Sequence, residues 1–284
     1  MGKVLKMEIR RLLKDVFFYA YPVIMIILII LCFVSASETK DETAPLNMIL
    51  VVSENIISIA VIAAGIVTID HCADEDKHGY TKNLIGNISG RHLLVFSKLI
   101  IGAITMIIYA GFNFLYVFVT YAVNAKKIVA YNMTYYFPES ADLMPEGKEH
   151  LWISREEFES ELNEELNHEI MHYILMIVAG IVTIVFIIML YEIFKSSTFC
   201  YVMTILISVS IVEQLIIQLV ALISEKIEIS RYLFNSQFMY FNSALEDGTA
   251  VEATSVTNFW IRNLIYLAVF AGAAMFISKK KDAA

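Results

Sequence analysis

Cysteine is scarce in this 284-residue chain, with Cys32, Cys72 and Cys200 the full set. Two lie in apolar runs and one in a polar stretch assigned below to the cell interior, which excludes a structural disulfide framework. A basic surplus is lacking too. With 21 Lys/Arg against 29 Asp/Glu the net charge is −8, and no large basic face is available for nucleic acid. The G-x-x-x-x-G-K-[ST] phosphate loop is absent, so the chain does not bind ATP by that device itself. Neither an internal repeat nor paired Gly/Pro-broken spans occur, features often seen in ion-coupled secondary transporters.

What the chain has in quantity is apolar sequence: 58% of residues are hydrophobic and the mean hydropathy is +0.66. Long runs of this kind mark an integral membrane protein. Six spans are expected, at 16–36, 47–69, 93–123, 171–194, 198–223 and 258–277, giving an all-α fold in a single transmembrane domain over residues 1–284. The first run is followed by Val34-Ser35-Ala36, which resembles a signal cleavage site. The run is longer than a signal core, however, so a retained anchor is expected. Residues 1–15 carry Lys3, Lys6, Arg10, Arg11 and Lys14, with Val4, Leu5, Ile9, Leu12 and Leu13 at helical spacing. This predicts a basic amphipathic helix on an anionic membrane surface, a plain positive flank being the alternative.

The basic residues also set the orientation. With the N-terminus inside, segments 1–15, 70–92, 194–197 and 278–284 hold 12 Lys/Arg in 49 positions, against 7 in 91 for the opposite segments. Both termini are therefore expected in the cytoplasm. Trp152 and Trp260 then fall near the outer interface. The acid is concentrated in Glu139 to Glu169, within a large extracellular segment at 124–170. Ser154 and Glu157 fit a capping box, and Phe158, Leu162, Leu166 and Ile170 form one stripe, predicting a helix that runs into the fourth span. Residues 224–257 are polar but aromatic-rich, and read equally as a re-entrant helix or a surface loop.

The stretch from Asp70 to Lys98 is the long polar run on the cytoplasmic side. It holds the acidic run Asp74-Glu75-Asp76, then Lys77-His78-Gly79-Tyr80-Thr81-Lys82-Asn83-Leu84, then Ser89-Gly90-Arg91 and Lys98. A solvated loop is the plain reading of such a charge run. In these residues, and in its six-span layout, the chain resembles the permease subunit of type-2 ATP-binding-cassette (ABC) exporters, in particular the phenol-soluble-modulin type that exports amphipathic peptides. The resemblance implies that 70–92 is a coupling helix seated on a separate ATPase, with Asp74, Glu75, Asp76, Lys77, Gly79, Tyr80 and Lys82 as docking residues. It further implies two ATPase copies carrying the ATP and Mg, and a second permease copy, identical or a close paralogue. The cargo it implies is an amphipathic or antimicrobial-type peptide, crossing a bacterial cell membrane. This chain would then be a transport subunit with no catalytic residue, cofactor or metal of its own. Drugs, ions or lipids are the alternative cargoes, and an ion-coupled secondary transporter or a membrane zinc metalloprotease using His168, Glu169 and His172 are the further alternatives.

Two further features stand out. Glu54, Glu213 and Arg262 each lie fifteen residues from the expected cytoplasmic end of a span, roughly 22 Å into the bilayer at the helical rise. Charges at such depth face a cavity or one another, so Arg262 is expected to pair with Glu213, Glu54 or both, as an outer gate or as a structural ion pair. His168-Glu169-Ile170-Met171-His172 is a literal H-E-x-x-H, the pattern of a zinc metalloprotease. The next acid, Glu192, is twenty residues on, and both histidines point away from the apolar stripe, so a metal site is not expected there.

Overall fold

The computed structural model describes residues 2–38, 44–77, 91–136, 155–209, 211–223 and 256–282. Within them the chain is all α, with no strand. The helices are α1 (Gly2–Leu12), α2 (Val16–Glu38), α3 (Ala44–Lys77), α4 (Arg91–Tyr136), α5 (Arg155–Phe194), α6 (Ser197–Ser208), α7 (Ile211–Ile223) and α8 (Val256–Asp282). Three stretches among the described residues are long and apolar enough to cross a membrane: His92–Tyr116, Ile174–Phe194 and Asn258–Lys280. The pair Val4–Leu12 and Val16–Ile30, bent by 52°, makes a fourth if taken as one span. The chain is a membrane protein with several apolar helices.

Contacts divide the chain into two units. One comprises Met1–Pro22, Ile57–Gly111 and Leu175–Ala284; the other comprises Val23–Ile56 and Phe112–Ile174. In the second unit the side chains of Met25, Asn113 and Tyr116 are buried. The first unit carries most of the described packing. Its core joins Ile69, Cys72 and Ala73 of α3 to Ile187, Leu190 and Tyr191 of α5 and to Cys200 and Ile207 of α6. Close approach here depends on absent side chains. A Cβ on Gly65 would lie 2.5 Å from Thr204 Cγ2, and one on Gly102 would lie 2.7 Å from Ile184 Cγ2. Small residues let helix backbones come together where lipid removes the hydrophobic drive for association.

Four buried threonines inside this unit are satisfied within their own helices, as an apolar medium favours. Thr68, Thr105, Thr183 and Thr204 each donate a hydroxyl hydrogen bond to the carbonyl four residues back, at 2.7–2.9 Å. Pro22 poses a harder problem inside α2. Lacking an N–H, it leaves the carbonyl of Phe18 without its helical donor. The buried hydroxyl of Tyr109 on α4 donates to that oxygen at 2.8 Å, and its ring stacks on Tyr21 at 4.6 Å. One tyrosine thus repairs the backbone and fixes α2 against α4.

Several element bounds differ from the sequence expectation. α3 does not stop at Ile69 but continues to Lys77, so the first eight residues of the expected loop are helical. α4 runs to Tyr136, past 123. The junction near 170 is not among them: α5 is a single helix from Arg155 to Phe194. The run expected as one span at 198–223 is two helices, α6 ending at Ser208 and α7 starting at Ile211. α6 closes at Ser208 with Val209 as its C-cap, and the sequence there, Ser208-Val209-Ser210, holds neither proline nor glycine. Serine hydroxyls compete with the backbone for hydrogen bonds and weaken a helix where they cluster.

Candidate functional site

The most elaborate polar arrangement lies where α1 meets the end of α3. α1 starts the chain with an amphipathic turn pattern and stops at Leu12. Asp15 then caps α2, its carboxylate accepting from the Phe17 N–H at 2.9 Å, a favourable place for an acid at a helix N-terminus. Tyr19 donates its hydroxyl to the Leu13 carbonyl at 2.8 Å. The two contacts fix the turn between α1 and α2, and with it the direction of α1.

The face that α1 buries is not purely apolar. Val4, Glu8 and Leu12, at i, i+4 and i+8, are its buried residues. Leu5 and Ile9 of the expected apolar stripe are half-buried and Leu13 is exposed. A carboxylate in the middle of a buried stripe requires a partner, and His71 of α3 supplies it: His71 Nε2 meets Glu8 Oε2, with both side chains almost wholly buried. One turn further along each helix, Arg11 Nη2 lies 3.7 Å from Asp74 Oδ2 in a partly exposed pair. Glu8 and Arg11 are three residues apart on α1, and His71 and Asp74 three apart on α3, so the pairs form two rungs. Along α1 an acid is followed by a base, and along α3 a histidine by an acid. A slip of one rung would bring acid against acid, which fixes the register.

The same end of α3 is held from α6. Tyr201 donates its hydroxyl to Asp70 Oδ1, while Cys72 and Cys200 are buried in the adjoining core and form no disulfide. Nearby in sequence, the α5–α6 turn is set by Lys195, which has a positive φ of 52°. Its ammonium bonds to the buried Glu192 at 2.9 Å and lies 4.9 Å from the centre of the Tyr191 ring. Ser196 caps α6 by accepting from the Phe199 N–H at 3.3 Å.

Of the expected docking residues, Asp74 sits at the second rung, and Glu75, Asp76 and Lys77 form the last turn of α3 with side chains outside the described set. Gly79, Tyr80 and Lys82 lie outside the described residues. Sequence reasoning missed Glu8, Asp70, His71 and Tyr201. A signal existed for one of them: Glu8 interrupts the Val4–Leu12 stripe. Within the intramembrane charge set, Arg262 is half-buried on α8, whereas Glu54 on α3 and Glu213 on α7 have side chains outside the described set. His168, Glu169 and His172 lie on the helical backbone of α5, again with side chains outside that set. Among the described residues no group of three or more His, Cys, Asp or Glu side chains could hold a metal ion. Compared with family models, curated proteins and solved structures, the chain matches none.

Proposed function

We propose that this chain is the membrane-spanning permease subunit of an ATP-driven ABC exporter, with residues 70–92 docking on a separate ATPase. In this reading the chain crosses a bacterial cytoplasmic membrane six times with both termini inside. It acts as a dimer, homomeric or with a close paralogue, above two ATPase copies that carry the ATP and Mg. The cargo is an amphipathic or antimicrobial-type peptide, released past the acidic outer segment at 124–170.

One observation carries most weight. α3 is a single helix to Lys77, and its polar end is clasped to α1 by Glu8–His71 and Arg11–Asp74. A push delivered at 70–92 therefore has no hinge between Ile69 and Lys77 in which to dissipate. The eight-residue extension is about 12 Å of rigid helix, and a motion applied to its tip becomes rigid-body motion of the span and of α1. The acids Glu75 and Asp76, next in sequence after the clasp, would set the lever's register on a partner.

The test is purification of tagged protein from its native membrane in gentle detergent. The expected result is a stoichiometric soluble ATPase in the wild-type preparation and its loss from Glu75→Lys/Asp76→Lys, which leaves both rungs of the clasp in place. No ATPase partner in the wild-type preparation would sink the reading.

A further inference from the structure

The face of α1 opposite the clasp has a different character. Lys6, Arg10 and Lys14 are exposed and spaced at i, i+4 and i+8; the first two align along one side of α1, and Lys14 follows in the turn after Leu12, its N–H bonded to the Arg11 carbonyl at 3.0 Å. Their stripe lies across the helix axis from Val4, Glu8 and Leu12, the residues buried against the protein. With Met7 and Arg11 they line a groove of about 400 Å³. Its lining is mostly apolar, as long side chains that carry a charge only at the tip supply. Among the described residues none of Lys6, Arg10 and Lys14 has an ion-pair partner.

What adjoins the groove indicates its occupant. Past Lys14 the surface turns apolar: Leu13, Val16 and Phe17 are 51%, 80% and 63% exposed, at the bend where the apolar α2 begins. Exposed large apolar side chains beside a cationic groove, at the start of a membrane helix, match the two ends of a phospholipid. Acyl chains would lie along Phe17 and Val16, and a phosphate would sit among the cations. The charge of the groove selects a headgroup with net negative charge over a zwitterionic one.

We propose that the outer face of α1 is a binding site for an anionic phospholipid, with Lys6, Arg10 and Lys14 holding its headgroup. The site is independent of the transport reading above and stands or falls without an ATPase. It also revises the amphipathic-helix expectation: Val4 and Leu12 are spent on protein packing, and α1 meets lipid through its charged face and its Leu13 edge.

The test uses the full chain in detergent with phosphatidylglycerol, phosphatidylcholine of the same acyl chains, or glycerol phosphate, read by native mass spectrometry and thermal shift. The wild type is expected to retain phosphatidylglycerol at least about tenfold more tightly than phosphatidylcholine. Lys6→Gln/Arg10→Gln/Lys14→Gln should abolish that preference, since each surface cation near an anionic headgroup adds on the order of a tenfold factor. The control Lys279→Gln/Lys280→Gln, which removes exposed cations at the end of α8, should keep it. Equal retention of both lipids by the wild type overturns the proposal, as does unchanged preference in the triple variant or loss in the control. Protection by glycerol phosphate equal to that by phosphatidylglycerol would make this a site for soluble anions, and overturns it too.

Discussion

α1 and α8 reverse the roles that their compositions suggest. α1 is short and charged, yet it buries a carboxylate against α3 and is tied to it by two pairs. α8 contains a 23-residue apolar stretch, yet only 17% of that stretch is covered by the protein, against 56% for Ile174–Phe194 of α5. On α8 the large apolar residues Leu264, Ile265, Val269 and Phe276 face outward, and the buried residues are Phe259, Asn263, Ala274 and Ser278. Three of those four are small or polar, the reverse of a helix packed in water. Hydropathy reports which solvent a helix prefers. Attachment is decided by specific pairs and by small residues that allow contact.

The comparison can be broken at its strongest point first. Glu8→Ala strands a buried imidazole and His71→Ala strands a buried carboxylate, so each is expected to cost about 3–5 kcal/mol, measured as a fall in melting temperature in detergent. Tyr109→Phe comes next. It keeps the ring stacking but leaves the Phe18 carbonyl opposite Pro22 without its donor, at a cost of about 1–3 kcal/mol. On α8, Leu264→Ala should change stability by less than about 1 kcal/mol, because lipid or detergent fills the space and no protein cavity forms. A large loss there would show that α8 has a protein neighbour on its outer face. Arg11→Gln is the mildest, about 0–1 kcal/mol for a partly exposed pair, with an effect that shrinks as salt is added.

Much of the helix inventory was legible because long apolar runs are a strong local signal. The start of α2 was also readable, since Asp15 is a good cap directly before the run at Val16. The bounds that were missed have physical reasons. α3 outlasts its apolar run because Asp70 to Lys77 lose nothing by staying helical: Asp70 bonds to Tyr201, His71 to Glu8 and Asp74 to Arg11. No local pattern in 70–77 announces these partners, which lie 63 residues back in two cases and 131 ahead in the third. The break after Ser208 falls in a run with neither proline nor glycine to announce it. The repair of Phe18 by Tyr109 spans 91 residues, and only the proline half of it is visible in sequence.

The account rests on α1 and the end of α3 acting as one body, and a double-mutant cycle on Glu8 and His71 tests this most directly. Stability is measured for the wild type, Glu8→Ala, His71→Ala and the double variant. The prediction is an interaction of about 3–5 kcal/mol, the double variant being little worse than either single one because the second substitution removes a group already stranded. Losses that add to within about 0.5 kcal/mol would mean that the two side chains do not hold each other, and the clasp would have to be abandoned.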